Sequence, residues 1–343
     1  MINNKKFEII APVSSISNRT RLFKLYTFLV DQHPVLPIKH VGWERSDGES
    51  REKYFSDKKI EKQLLLKGGG YGNKKTKLMY LLWMYKVFIY CLFNNNKSSV
   101  VWALGFETAF PAYLASKITR AKIIFDDADR FSMLFKKPFF LKKILEKLEE
   151  HTSRNVRFHV VPSLSRYSFQ SANFFELKNI PSLSELSKAK QYYESLIWPN
   201  ADFILNVNGW LGDCRGMKTA LHLAEHFNNV NDFHIILVGK LDGEASKLLS
   251  ERNNVTYLGE VSNFEALSTY FASDFVFTYY DPANEINLYA ESNKWGDALA
   301  TGTGIIVNRE VKTAKHLITN PNTISVPYDD TDSLITMISQ YIA

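Results

Sequence analysis

From residue 203 to residue 326 the chain alternates between short runs rich in β-branched and aromatic residues and longer amphipathic stretches, and few folds accept that order. The apolar runs are "FILNVN" (203–208), "HIILVG" (234–239), "VTYL" (255–258), "DFVFTYY" (274–280), "GIIVN" (304–308) and "TISV" (323–326). Stretches with helical period lie between them, near 217–228, 243–251, 263–272, 293–300 and 310–319. Strands of this length cannot be told from buried helix by periodicity alone, but their regular spacing by amphipathic segments indicates βαβ units. A sheet built from such units is parallel and covered by helices on both faces, which is why its strands read as nearly continuous apolar runs. The second half is therefore expected to be a Rossmann-like domain.

The first half repeats the alternation less cleanly. Strands are expected at 7–12, 99–104, 121–126 and 158–163, with helices near 19–31, 76–93, 107–118, 138–151 and 164–172. Residues 44–75 hold no steady period and end in "KGGGYGNKK", which reads as a mobile loop rather than a dinucleotide fingerprint, since no convincing strand precedes "GGGYG". The stretch "LKNIPSLSELSKAKQYYESLIWPN" (177–200), with two prolines and several serines, reads as a connection between domains. The expected organisation is thus a first Rossmann-like domain over 1–180, a hinge over 181–200 and a second Rossmann-like domain over 201–343. A ligand cleft is expected where the carboxyl ends of the two sheets face each other.

Charge follows the same division. Residues 1–175 carry 30 Lys and Arg against 15 Asp and Glu, whereas residues 176–343 carry 12 against 21. A basic half beside an acidic one points to an anionic partner for the first domain. Cys91 and Cys214 are the only cysteines, too few for a disulfide framework or a cysteine-rich metal site. No stretch is long and apolar enough to span a bilayer, and the amino terminus does not read as a signal peptide. The expected setting is cytoplasmic.

Two loops of the second half carry chemistry. In "AESNKWGDALATGTGIIV" (290–307), Ser292 or Asn293 can cap a helix whose free N–H groups favour an anion. Lys294 lies in its first turn, and Asp297 one turn further on the same face can accept two ribose hydroxyls. In "NVNGWLGDCRGMKTALHLAEHF" (206–227), Gly209, Gly212 and Gly216 allow close backbone approach, and Arg215 can fork across phosphate oxygens. Both loops follow strands of one parallel sheet. The plainer account of Lys294 and Asp297, a solvated i,i+3 pair, is worth only about 0.2–0.5 kcal/mol.

In order and spacing, "NGWLGDCRGMKTALHLAEHF", "FHIILVGK", "NVTYLGEVSNFEALSTYFASDFVFTYYDP" and "ESNKWGDALATGTGIIVN" resemble the nucleotide-sugar domain of GT-B fold glycosyltransferases of the family-4-like, group 1 kind. The resemblance spans residues 203–308; the first half matches only loosely, through "VWALGFETAFPAYLASK" and "VVPSLSRYSFQ". It implies an α/β protein of two Rossmann-like domains facing a cleft, the GT-B architecture. It also implies donor contacts from Gly209, Arg215, Gly259, Glu260, Val261, Glu291, Ser292, Asn293, Lys294 and Asp297. Arg215 and Lys294 would hold the diphosphate, Asp297 the ribose, and Gly259, Glu260 and Val261 would border the base. Three departures stand out: Trp210 where the family often has Arg, Tyr289 where it has an earlier Glu that Glu285 or Glu291 can replace, and "TGTG" for the usual "AGKP". The implied activity is transfer of a sugar from a nucleotide sugar to a glycan or lipid-linked acceptor, in bacterial surface polysaccharide synthesis. No cofactor and no obligatory metal are implied.

An inverting transfer needs a base for the attacking hydroxyl. "IIFDDADRF" places Asp126, Asp127 and Asp129 at the end of a strand, and Asp126 and Asp129 are the candidate bases; turn capping is the plainer account of both. Asp127 and Asp129 also spell the D-x-D of the GT-A fold, and "HLAEH" (222–226) matches an inverted zinc-protease motif; both patterns are short and occur freely by chance. In "RFSMLFKKPFFLKKILEKLEE" (130–150), aromatics between lysine pairs suit an anionic membrane surface, whereas the apolar helix over 76–93 is expected to be buried. A peripheral protein on the inner face of the cell membrane follows, without nucleic acid as partner. The alternatives carried forward are a GT-B-fold sugar-nucleotide epimerase and an inactive nucleotide-sugar-binding partner subunit.

Overall fold

Adjacent residues of a strand point to opposite faces, so a strand in the middle of a covered sheet must feed two cores at once. β1 (Lys6–Ala11) does this: Ile10 packs with Val41, Trp43, Trp83 and Phe125, while Ile9 and Ala11 pack with Ile16, Leu22 and Tyr26 on the other side. The computed structural model describes residues 6–46, 60–70, 74–127, 129–134, 139–229 and 231–342. Its chain divides into two units, Met1–Leu177 and Lys178–Ala343.

In the first unit β1 is followed by α1 (Thr20–Gln32), β2 (Ile38–Glu44), β3 (Glu61–Lys67), α2 (Lys74–Asn94), β4 (Ser99–Leu104) and α3 (Phe106–Thr119). Then come β5 (Lys122–Asp126), α4 (Phe139–Asn155), β6 (Phe158–Val161) and β7 (Phe174–Glu176). Among the described residues the sheet has the order β3-β2-β1-β4-β5-β6-β7, and every pairing is parallel. The chain runs outward from β1 to β3, then returns to β4 on the other side of β1. That reversal opens a crevice beyond the carboxyl ends of β1 and β4.

The second unit begins with α5 (Leu183–Glu194), then β8 (Phe203–Gly212), α6 (Met217–His226), β9 (Phe233–Asp242), α7 (Glu244–Ser250), β10 (Val255–Tyr257) and α8 (Asn263–Phe271). It continues with β11 (Phe275–Thr278), α9 (Asn293–Thr301), β12 (Gly304–Asn308), α10 (Lys315–Ile318), β13 (Thr323–Val326) and α11 (Thr331–Ile342). Its parallel sheet runs β10-β9-β8-β11-β12-β13, so the reversal lies between β8 and β11. Phe203, Leu205, Val207, Phe275 and Phe277 fill one face with α6 and α11, and Val276, Ile305 and Val307 fill the other with Trp295 and Ala298.

Four expectations need correction. Residues 44–75 are not all loop: β3 lies among them as the edge strand, and its Glu61, Lys62, Gln63 and Lys67 mask the strand signal while protecting the edge. Gly68–Gly70 is packed rather than mobile, since Thr76 Oγ1 donates to the carbonyl of Gly69 at 2.8 Å and a side chain at Gly69 would strike Met79 and Trp43; Tyr71 and Gly72 lie outside the described residues. No helix fills 164–172, only a 3-10 turn over Leu164–Arg166 before β7. Residues 181–200 hold α5, which is part of the second unit. Ser182 and Glu185 cap it reciprocally, Ser262 and Glu265 cap α8 in the same way, and Asn263 Nδ2 joins the two caps by donating to Glu185 Oε1 at 3.0 Å.

Candidate functional site

The second unit's candidate residues gather at its reversal point. β8 does not turn at Gly209 as expected; it runs on beside β9 to the Gly212–Asp242 pair. Gly209 has φ +99° and its partner Gly239 φ +121°, and a Cβ on Gly239 would lie 1.9 Å from the Gly209 carbonyl oxygen. Only a side-chain-free pair bends there, and the bend brings Gly209 under α9. A Cβ built on Gly209 would sit 3.6 Å from Lys294 Cε and 3.9 Å from Nζ.

Arg215 ends the 3-10 turn Asp213–Arg215, just before α6. Its guanidinium lies 4.4 Å from the ring centroid of Tyr280 and 5.8 Å from that of Trp210. Its Nη1 is buried without a hydrogen-bond partner. Tyr280 is in turn fixed by Asn308, whose amide accepts from Tyr280 N at 2.8 Å and donates to its carbonyl at 3.1 Å and to Glu310 Oε2 at 2.8 Å. The backbone N–H of Asp281 donates to the carbonyl of Cys214 at 3.0 Å, so the loop after β11 is tied to the loop after β8. Neither Tyr280 nor Asn308 carries a sequence signal for this role: each reads simply as the end of an apolar strand. Trp210, half exposed, donates from Nε1 to Asp242 at 2.6 Å.

Ser292 caps α9 by accepting from Lys294 N, and Trp295 anchors the helix through Nε1 to Thr278 Oγ1 at 3.0 Å. Gly296 matters for a different reason: a Cβ there would lie 1.9 Å from Asn179 O, where the chain crosses the helix. Lys294 is partly buried, and burial, then the nearby Arg215, lower its pKa to about 7. No carboxylate of the described residues pairs with Lys294 or with Arg215. Two cations that repel each other and lack a counter-charge form a site complementary to an anion. The amino ends of α6 and α9 add the positive ends of their dipoles.

The other expected donor residues divide. Asn293 is the first residue of α9, and Asp297 is partly buried near enough to raise the pKa of the buried Tyr270 phenol, after burial itself. Gly259 accepts from Gly239 N through its carbonyl at 2.8 Å, and Glu260 is exposed. Val261 packs on Ile204, Ile236 and Val238, and Glu291 pairs with Lys178 at 3.3 Å. Those two have structural work as they stand.

In the first unit Asp126 is buried at the end of β5, with Arg21 Nε donating to Oδ1 at 2.6 Å and Trp102 Nε1 to Oδ2 at 2.9 Å. Asp127 is also buried and accepts from Tyr167 OH at 2.5 Å, with His159 Nε2 3.8 Å away. Burial pushes its pKa up, but His159, Arg166 and Tyr167 outweigh that and hold it below the usual carboxylate value. The Asp129 side chain is 60% exposed, with Arg166 3.9 Å away. Asp127 and Asp129 thus occupy opposite environments, and among the described residues no cluster of three or more His, Cys, Asp or Glu is arranged to hold a metal. His222 and His226 are exposed on α6. A carboxyl missed in the sequence, Glu107, lies buried at the start of α3 beside the β1–β4 reversal.

No protein-family model matches the chain, and no curated protein matches its sequence. Its structure is similar to sucrose-phosphate synthase from Thermosynechococcus elongatus, with 11% identity, a TM-score of 0.69, and coverage of 98% of this chain and 89% of that one. It is similar to a UDP-forming α,α-trehalose-phosphate synthase from Burkholderia vietnamiensis, with 9% identity, a TM-score of 0.65, and coverage of 99% and 91%. It is similar also to a Listeria monocytogenes protein assigned as a UDP-N-acetylglucosamine 2-epimerase, with 12% identity, a TM-score of 0.59, and coverage of 98% and 88%. The chain has the GT-B glycosyltransferase fold.

Proposed function

We propose that the chain is a glycosyltransferase whose second unit binds a nucleotide sugar and whose first unit binds a glycan or lipid-linked acceptor, in assembly of a bacterial surface polysaccharide. The observation that carries this is the pair Arg215 and Lys294, two cations without a carboxylate partner at the β8–β11 reversal. When the bond from the anomeric carbon to the diphosphate breaks, the electron pair leaves with the diphosphate. Arg215, Lys294 and the amino ends of α6 and α9 stabilise that developing charge from fixed positions. Asp297 holds the ribose. Of the two expected bases, Asp126 is occupied at both oxygens, which leaves Asp129 the freer.

The first unit supports a membrane-bound acceptor. Lys136, Lys137 and Pro138 lie outside the described residues, but Phe140 and Ile144 of α4 are exposed beside Lys143. α2 was expected to be buried, yet Leu78, Leu81, Leu82, Tyr85 and Phe93 stand exposed along one face of it. Among the described residues no helix is long and apolar enough to cross a membrane. An apolar helix face with a net positive unit around it suits the headgroup boundary of an anionic bilayer.

Thermal unfolding with UDP, GDP, dTDP and CMP in EDTA tests the donor site. A ligand at a hundred times its Kd stabilises by about 2.7 kcal/mol, a rise of several degrees. One base family should shift the midpoint in the wild type but not in Asp297→Ala; no shift with any nucleotide, with or without Mg²⁺, rejects the proposal. The epimerase-like neighbour favours one second reading, sugar-nucleotide epimerisation. That reaction would convert the nucleotide sugar to its epimer with no acceptor present.

A further inference from the structure

We propose that Trp210 of the second unit is the platform on which the sugar ring of the nucleotide sugar lies, and so a residue that sets which donors are accepted; this rests on the glycosyl-transfer reading above. In the sequence Trp210 stands out only as a departure, an aromatic ring where the resembled family often has Arg. In the fold it borders both cations. The residue before it, Gly209, lies under Lys294, and the Arg215 guanidinium stands 5.8 Å from the centroid of its ring.

Strand register places the ring relative to the donor. β10 pairs with β9 as far as Leu237 and β11 with β8 as far as Asn206, but β8 and β9 continue together to the Gly212–Asp242 pair. Trp210 pairs with Lys240 on this two-stranded ribbon. At about 3.3 Å per residue, that is roughly 10 Å past the last pairing with β10. Gly259, Glu260 and Val261, expected to border the base, follow β10 directly, and the Gly259 carbonyl accepts from Gly239 N at 2.8 Å. Base and diphosphate are therefore expected at the level of the Gly209–Gly239 pair. The Trp210 ring lies beyond that level, so the part of the donor left to meet it is the sugar on the outer phosphate.

The ring has a built seat. It lies across Gly212, where a Cβ would come within 2.5 Å of Cζ2 and 2.8 Å of Cη2, so any side chain at 212 would displace it. Its one donor, Nε1, is used on Asp242 Oδ2 at 2.6 Å. Trp210 nevertheless remains 48% exposed. A tryptophan fixed by its neighbours and left half open offers an apolar face that loses little freedom when a ligand covers it. The face of an aromatic ring carries partial negative charge, which suits the carbon-bound hydrogens on one face of a hexose. Arg215, at the border of this platform, then holds the adjoining phosphate.

The test compares Trp210→Ala and Trp210→Arg with wild type by calorimetric titration. The probes are UDP, GDP and dTDP, and the conjugates UDP-glucose, UDP-galactose, GDP-mannose and dTDP-glucose. For the base family that the wild type binds, Trp210→Ala should weaken the conjugate about tenfold or more and the bare diphosphate less than about threefold. Trp210→Arg, which adds a third cation, should tighten the bare diphosphate, while the preference for the conjugate falls as far as in Trp210→Ala. Equal loss of diphosphate and conjugate in Trp210→Ala overturns the proposal, because the ring then serves the base or only braces Arg215. No loss of either overturns it too, as does a wild type that binds a diphosphate but none of its conjugates, since the hydrogen-bearing face is common to these hexoses. A wild type that binds no nucleoside diphosphate rejects the glycosyl-transfer reading itself.

Discussion

Replacing Lys294 by Met should stabilise the empty protein and weaken its hold on a nucleoside diphosphate. The lysine falls from an ordinary value of 10.5 to about 7 on folding. At roughly 1.36 kcal/mol per unit, keeping it protonated in the empty fold costs on the order of 5 kcal/mol. The folded state binds fewer protons than the unfolded one between pH 7 and 10.5, so wild-type stability should rise across that window and stay flat below it. Met removes the dependence, and the variant should be the more stable protein at pH 7. A bound diphosphate supplies the missing counter-charge and returns the amine to its protonated form. At pH 8 an amine with a pKa of about 7 is about nine-tenths deprotonated, so binding should take up about 0.9 proton, falling to about 0.1 at pH 6. Calorimetry in two buffers of different ionisation enthalpy reads this number directly. Loss of a charged hydrogen bond, roughly 1.5–3 kcal/mol, should weaken UDP binding by about ten- to a hundredfold in the variant. Zero uptake at pH 8, or the same uptake with and without Lys294, refutes the reasoning.

Asn308→Ala removes three hydrogen bonds from a fully buried amide. Denaturant unfolding should show a loss of about 2–3 kcal/mol, and because Tyr280 is then free to shift under Arg215, nucleotide affinity should fall although Asn308 touches no ligand. On α2, Leu81→Lys together with Tyr85→Lys should cut binding to phosphatidylglycerol vesicles at least tenfold in a sedimentation assay despite adding positive charge, with the thermal midpoint nearly unchanged. Stronger binding by this variant would mean that attraction is electrostatic alone.

What could be read from the sequence depended on whether the responsible interaction was local. β11 and β12 are buried on both faces, so "FVFT" and "GIIVN" are apolar throughout and easily seen. β2 places a buried His40, held neutral with its pKa lowered to about 3, and a Gly42 that must admit the Val13 carbonyl, both in the middle of the strand. Neither looks like sheet until the neighbouring loop is in place. Arg215 and Lys294 were legible because a strand followed by a charged helix start is a local pattern. Asp126 was not: an aspartate at a strand end reads the same whether it is a base or the partner of an arginine, and the arginine in question lies 105 residues away.

Partnering therefore sorts the charges where residue type does not. In the second unit Glu291 is claimed by Lys178, while among the described residues no carboxylate pairs with Lys294 or Arg215, and Arg215 lies against the rings of Tyr280 and Trp210. In the first unit Asp126, Asp127 and Glu149 are claimed in the same way. The two unclaimed cations fall beside the place where the second unit's sheet reverses, and a doubly wound sheet leaves its strand ends uncovered there. Folding alone would favour an apolar residue or a partner at each position, because every unclaimed charge subtracts from stability.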